Sequence, residues 1–499
     1  MRRSPSMMAA LGSVLLGAAL LAGTGAAVAI THSSGVSPDV GTWGTAIEVP
    51  GIATLNAGGT SGVAAVSCGA AGTCAAGGSY TDSSSHLQAF VVDEVDGTWG
   101  TAQEIPGTAA LNLDGRAAVQ ALSCGGPGTC AAGGYYTDGG GHVQAFVVDE
   151  TAGVWGTAQE VPGTSTLNVG TRAVINSISC RSAGNCGAGG YYTDSSGDQQ
   201  AFVDDETAGV WGTAQEVPGT ASLDAAGHAG VASVSCSSPG NCGAGGYYAS
   251  STDDAIPTIQ AFVANEVDGT WGTAQEVPGT ATGNGGGFAE TYAISCATDG
   301  NCTAGGDETN TRPITQAWAA TEANGTWGNA RLLPALVGLN KTGFSQIGTV
   351  SCAAAGDCSA GGFYTGGTYN EQAFVVTQRN GTWGSAEEVP GTHNLNQGAS
   401  GGATTTSVSC SAPANCGAVG FYNGRELLQQ VFVVSQVGSW HTAEEAPGSQ
   451  SLNTGGAADL SSVSCPSPGF CAAGGHYTIP NGATATQKEA FVVNESKGA

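Results

Sequence analysis

Sixteen cysteines fall in eight pairs, each with five residues between the partners: Cys68/Cys74, Cys124/Cys130, Cys180/Cys186, Cys236/Cys242, Cys296/Cys302, Cys352/Cys358, Cys410/Cys416 and Cys465/Cys471. Thiols at that spacing have two chemistries. One is a cross-hairpin disulfide, because facing residues of an antiparallel hairpin bring their Cα atoms to about 4.5–5.5 Å, within bridging distance. The other is metal ligation, but zinc sites use cysteines about two to four residues apart and gather four ligands. Here each unit offers two, and no His recurs beside them. Disulfides are therefore expected, and they leave no thiolate for nucleophilic catalysis.

Oxygen and nitrogen ligands form a second group. Asp82, Asp138 and Asp194 open polar loops, and Asp194-Ser195-Ser196-Gly197-Asp198 offers oxygens to calcium, the one cofactor the sequence brings up. The competing reading is that Asp, Ser and Gly are turn formers. Asn112 and Asn168, within a series that includes Asn56, Asn340, Asn396 and Asn453, either line a glycan site or bond their own loop backbone. Arg116, Arg172 and His228 bring cationic and donor groups to the same loops. These eight residues, Asp82, Asp138, Asp194, Asn112, Asn168, Arg116, Arg172 and His228, are the candidate ligand-binding set. Tyr135-Tyr136, Tyr191-Tyr192 and Tyr247-Tyr248 either stack on sugars or pack internally. A recurring Glu (Glu48, Glu104, Glu160, Glu216, Glu276, Glu388, Glu445) guards strand edges with charge. Catalytic carboxylate pairs stand about 5–9.5 Å apart in one cleft, and Glu on separate repeats are poorly placed for that. No catalytic residue is expected.

These groups are positioned by a repeat. Trp recurs at Trp43, Trp99, Trp155, Trp211, Trp271, Trp327, Trp383 and Trp440, in steps of 56 or 57 residues with one of 60. Pro50, Pro106, Pro162, Pro218, Pro278, Pro334, Pro390 and Pro447 each follow a Trp by seven residues. Each unit reads as four strands. The first ends in Ser-Cys, the second runs from the second Cys into a Gly pair, the third carries Ala-Phe-Val, and the fourth runs from Trp to Pro, as in Trp155–Pro162. No stretch holds a helical period. Units of this size stacked radially give an all-β, eight-bladed β-propeller with four antiparallel strands per blade. Phe90, Phe146, Phe202, Phe262, Trp318, Phe374, Phe432 and Phe491, with the Trp series, fill the spaces between blades. The chain opens on a fourth strand, Trp43–Pro50, and ends on a third, Phe491–Val493, so the N-terminal strand is expected to join the C-terminal blade and close the ring.

The N-terminus reads as a secretory signal peptide: Arg2-Arg3, an apolar stretch, then Ala27-Val28-Ala29 before Ile30. Residues 1–29 are the signal peptide, 30–40 a short linker, 41–495 the propeller and 496–499 a tail. No later apolar run spans a bilayer. Thr24 stands where a lipidated Cys would be, so a freely secreted monomer is expected. The Ala/Gly-rich style suggests a high-GC bacterium as the source, on composition alone. A formal charge of −27 opposes nucleic-acid binding.

From Gly pair to Trp, the unit resembles the kelch and galactose-oxidase type of propeller: Gly77-Gly78 and Gly133-Gly134 match its diglycine, and Val92-Asp93 followed by Trp99 keeps its Tyr-Asp…Trp spacing with Val for Tyr. Asp96-Gly97-Thr98-Trp99 is similar to the aspartate box of sialidase-like propellers, one residue short. The resemblance implies a ligand funnel on the face that carries the loops from strand two to three and from strand four to the next strand one, opposite the cysteine hairpins. Neither the copper ligands of galactose oxidases nor the arginine motif of sialidases is present. The unit that ends at Trp327, sixth by tryptophan count, is the most altered, with Asp307-Glu308, Trp318, Arg331-Leu332 and Lys341; the eighth carries His476 and Lys488. The functional expectation is a secreted, non-catalytic binding or interaction propeller for an extracellular glycan or protein. The alternative is a secreted glycosidase, lyase or oxidase with its site at the funnel.

Overall fold

The computed structural model describes residues 40–497, apart from 251–257, 284, 286, 311–313, 368–369, 399–401, 426–427 and 482–484. The expected signal peptide, and the linker up to residue 39, lie outside the described residues.

The unit with Cys124 and Cys130 shows the plan. Its first strand, Ala118–Gly126, turns at Pro127-Gly128 into the second, Thr129–Thr137, which pairs with the third, Val143–Thr151. The turn demands a left-handed residue, and Gly128 supplies it at φ +62°. The Gly pair has two separate causes. A Cβ on Gly134 would lie 2.1 Å from the Ala118 carbonyl, where the first strand bulges, and one on Gly133 would lie 2.7 Å from Ile178 of the next sheet. One glycine admits the bulge and the other the neighbouring sheet.

The fourth strand is not continuous. Val154–Trp155 and Gln159–Glu160 both pair with the third strand, but between them Ala158 donates its NH to the Pro106 carbonyl of the preceding unit at 2.8 Å. The outer edge leaves its own sheet to bond its neighbour. A second correction follows Pro162: Gly163, left-handed at φ +89°, opens a one-turn helix, Thr164–Leu167, where a plain loop was expected. One turn is too short to leave a helical period in the sequence.

All eight cysteine pairs are bridged, and no cysteine among the described residues is free. Each bridge spans facing hairpin residues, such as Cys124 opposite Cys130, with Cα atoms 3.9 Å apart. Disulfides at every hairpin suit an oxidising compartment. No helix among the described residues is long and apolar enough to cross a membrane.

Cys302, Cys358 and Cys416 are bridged as expected, to Cys296, Cys352 and Cys410, and all three are buried. The cause is the position of the second strand, which neighbouring sheets cover. Cys302 and Cys416 join the apolar clusters between sheets. The Thr303 hydroxyl lies 3.4 Å from the Cys358 sulfur, and the Ser359 hydroxyl 3.4 Å from that of Cys416, each contact reaching from one unit to the next.

The units stack face to face, as in a β-propeller. Eight apolar clusters occupy the described residues, seven between consecutive sheets and one joining residues of the first sheet to Ala472, Ala490 and Val492 of the last. Phe146, fully buried, packs with Ile105 and Val91 of the preceding unit and with Trp155 of its own. Polar bonds run between the same sheets. The Ser before each first-strand cysteine accepts the cysteine NH of a neighbouring unit: Ser67 from Cys124, Ser123 from Cys180, Ser179 from Cys236, Ser235 from Cys296, Ser295 from Cys352, Ser351 from Cys410, Ser409 from Cys465 and Ser464 from Cys68, all at 2.9–3.0 Å. At the chain ends, Thr42–Trp43 and Ile47–Glu48 pair with the last strand, Ala485–Ser496, with Trp43 opposite Glu495 and Glu48 opposite Phe491.

Candidate functional site

The loops from strand two to three and from strand four to strand one share one end of the sheets; Gly58 NH, for instance, bonds the Thr81 carbonyl at 2.8 Å. Asp82, Asp138 and Asp194 hold the same place there in three consecutive units, and each closes its own loop. Asp194 Oδ1 accepts the NH groups of Ser196 and Asp198 at 2.7 and 3.0 Å, and its second oxygen accepts Gln200 Nε2. Asp138 does the same with Gly140, His142 and Gln144. Burial alone would raise the Asp82 and Asp138 carboxyls, but these loop bonds hold both below the usual range.

Asn112 and Asn168 are buried, and their bonds reach across units. Asn112 Nδ2 donates to the Leu87 carbonyl and to Gln88 Oε1 of the preceding unit, while its Oδ1 accepts the Arg116 NH at 2.6 Å. Asn168 repeats this with Val143 and Gln144. Asn56 donates to the Lys488 carbonyl, joining the first unit to the last.

Arg116, Arg172 and His228 are exposed at successive junctions. Arg172 Nε donates to the Tyr191 hydroxyl at 2.8 Å, with its guanidinium 5.7 Å from that ring. His228 lies 5.2 Å from the Tyr247 ring, whose hydroxyl accepts Gln199 Nε2 at 2.8 Å. At the same repeat position Phe344 stacks on Phe363 at 5.5 Å. The tyrosine pairs thus divide their work. The first of each (Tyr135, Tyr191, Tyr247) is half-exposed in this row. The second is buried and donates to the recurring Glu, as Tyr80 does to Glu104, Tyr136 to Glu160 and Tyr192 to Glu216. Those Glu residues are hydrogen-bond acceptors as well as edge charges.

The altered unit breaks this row. Glu290 and Asp307 face each other across its first two strands where the other units carry no acid pair; in the last unit Asp459 stands opposite His476. Burial pushes Glu290 up to about 7 and Asp307 to about 8; the Tyr292 hydroxyl bonds both and draws each down. Glu308 replaces the buried Tyr, and Leu332 replaces its Glu partner. That double departure leaves a sequence signal, while the Glu290–Asp307 pairing shows only once the strands are in register.

The larger cavities lie at the opposite end, beside the disulfides, where no ligand site was expected. One of about 530 Å³ opens between the Cys124 and Cys180 units and is lined by Asp149, Glu150, Glu206, Thr129 and Ser182. Another of about 250 Å³ lies one junction earlier, lined by Asp93, Glu94 and Glu150. In three consecutive units the Asp of the third strand accepts the next unit's Trp Nε1: Asp93 from Trp155, Asp149 from Trp211, Asp205 from Trp271, at 2.7–3.1 Å. A Glu of the next unit faces the same Asp. Burial, then the Asp93 charge, raises Glu150 to about 7; burial and Asp149 raise Glu206 to about 7; burial and Asp205 raise Glu266 to about 8.

No protein-family description and no curated protein matches this chain. Among solved structures it is similar to the β-propeller domain of the trilobed protease from Pyrococcus furiosus, at 8% identity and TM-score 0.39, covering 77% of this chain and 97% of that one. It is also similar to an Aleuria aurantia lectin mutant in complex with α-methyl-L-fucoside (14% identity, TM-score 0.32, 66% and 95% covered). A Hadza microbial sialidase aligns at 12% identity and TM-score 0.36, over 72% and 73% of the two chains. All are remote.

Proposed function

We propose that this chain is a secreted, non-catalytic, carbohydrate-binding β-propeller of eight blades, closed by its N-terminal strand, with its ligand face at the loop end. One observation carries the reading: the same repeat position presents a planar pair at three junctions, Arg172–Tyr191, His228–Tyr247 and, beyond the altered unit, Phe344–Phe363. Ring faces suit the apolar faces of sugars, and the guanidinium, imidazole and Gln199 amide suit their hydroxyls. Arg116 and Tyr135 hold the repeat positions of Arg172 and Tyr191, and Asp82, Asp138 and Asp194 shape the loops around them. A weak site repeated along a polysaccharide gains avidity without new contacts. Closure is supported by the Trp43–Glu495 pairing and by the Ser464–Cys68 bond.

A glycan array tests the reading. Binding that is lost on Tyr191→Ala with Tyr247→Ala, without turnover, supports it; undiminished binding by that variant refutes the site. The enzyme alternative has its own support in Glu290 and Asp307, an acid pair raised toward neutrality in the unit that departs most from the repeat. Release of reducing ends from a polysaccharide, abolished by Asp307→Asn, decides for it.

A further inference from the structure

The third strand of each unit sets a polar residue against a Glu or Gln of the next unit, and the eight junctions can be compared. At five of them the pair contains a hydrogen-bond donor. Asn494 donates to Glu94 and Asn265 to Glu322. Gln378 Nε2 donates to Thr321 at 3.0 Å, Gln436 Nε2 to Thr377 at 2.9 Å, and the Ser435 hydroxyl to Glu495 at 2.6 Å. The other three junctions are consecutive and pair two acids: Asp93 with Glu150, Asp149 with Glu206, Asp205 with Glu266. Nothing in those pairs supplies the donor that the other five have.

The last of the three is the most closed. Glu266 is 3% exposed, and neither of its carboxylate oxygens has a hydrogen-bond partner. Asp205 gives one oxygen to Trp271 Nε1 at 2.7 Å and has no partner for the other. The two carboxylates approach within 4.8 Å of one another. Two oxygens bound to one calcium ion, each at about 2.3–2.6 Å, lie no more than about 5 Å apart. The Cys242 sulfur beside them is committed to its bridge with Cys236 and ligates nothing.

We propose that Asp205 and Glu266 clasp a hard divalent cation of the calcium class, with Asp149–Glu206 and Asp93–Glu150 as equivalent sites. The pairs offer carboxylate oxygens and neither thiolate nor imidazole, which selects a hard ion over zinc or copper. The Trp271 Nε1–H on Asp205 Oδ2 fixes that carboxylate and leaves Oδ1 for the ion, the arrangement by which neighbouring donors position metal ligands, whereas at Asp93 and Asp149 the Trp Nε1–H is shared between both oxygens. The cavities that reach Asp149, Glu206, Asp93 and Glu150 are wide enough for a hydrated ion to enter. Bridging carboxylates of adjacent units, the ion would hold three successive sheets to their neighbours. These junctions are separate from the Asp194–Asp198 loop.

The test uses the full secreted chain after chelation. Terbium titration with tryptophan excitation reads the site directly, because Trp271 touches a ligand. Asp205→Asn recreates the Asn265–Glu322 junction and keeps an acceptor for Trp271, so the variant folds. Expected are saturable terbium emission displaced by calcium, a calcium-dependent rise in Tm, and at least about tenfold weaker binding at a site that loses one of its two carboxylates. The triple variant Asp93→Asn, Asp149→Asn, Asp205→Asn should lose the emission and the Tm rise, while its calcium-free Tm equals or exceeds that of the wild type. Wild-type protein that gives no emission and no Tm shift overturns the proposal, as does proton uptake at these pairs that leaves them indifferent to cations. Emission that survives in the triple variant but is lost in Asp194→Asn also overturns it.

Discussion

Ser464 accepts the backbone NH of Cys68 on its hydroxyl at 3.0 Å, across 396 residues of chain. The same bond joins Ser235 to Cys296 within the body of the chain, at 2.9 Å. If the last sheet meets the first as any sheet meets its neighbour, Ser464→Ala and Ser235→Ala should cost about the same, roughly 1 kcal/mol each. Chemical denaturation measures both. A silent Ser464→Ala beside a costly Ser235→Ala would mean an open seam.

The tryptophans make a second comparison. Trp271 donates to Asp205, whereas Trp383 Nε1 is buried with no partner. Trp271→Phe removes a charge-assisted bond and should cost about 1.5–3 kcal/mol beyond any packing loss. Trp383→Phe removes an unmet donor and should cost less or stabilise. Trp99→Ala, at a buried ring, should cost about 3–5 kcal/mol. Melting curves of the three variants give the order.

Each disulfide closes a short loop, with a sequence separation of six. Loop entropy assigns each roughly 2 kcal/mol, and the eight need not add. Reductant should therefore lower Tm markedly, and non-reducing peptide maps should show only neighbouring cysteines joined. A bridge between different units would contradict the hairpin register.

His476 gives a pH dependence. Burial, then Lys488, pushes its imidazole down from 6.5 to about 4, with Asp459 opposite it on the first strand. Between those values the unfolded chain binds the proton and the folded chain does not, so stability is complete above about pH 6.5 and falls as pH drops toward 4. The loss is at most about 3 kcal/mol. Other units carry Phe363 or Phe421 in this place. His476→Phe should flatten this limb of the stability profile.

The periodic residues were legible because each meets a local requirement: Cys at facing hairpin positions, glycines at the bulge and sheet contact, Phe at the buried centre of strand three. What was not legible joins one unit to the next. The Ala158 NH finds its acceptor in Pro106, Asn112 finds Leu87, and Trp155 finds Asp93, partners 25–62 residues away. A pattern read along one strand contains no such pairing. The spacing paired Cys302, Cys358 and Cys416 with their partners, yet their burial depends on the sheets that cover them. Asp93 was visible as part of a spacing, and its carboxyl contacts were not. The Glu290–Asp307 pair depends on strand register for the same reason.

Every disulfide lies inside a single hairpin, so no covalent cross-link connects one sheet to another. Under tension applied to both ends, the two-residue strands at Trp43 and Glu48 should shear from the last strand first. Each later sheet would then rip free as a separate event. With about six residues of every 56 held short by a sulfur bridge, each rupture should lengthen the tether by roughly 17–18 nm, a regular sawtooth in a force–extension trace whose teeth widen when the bridges are reduced.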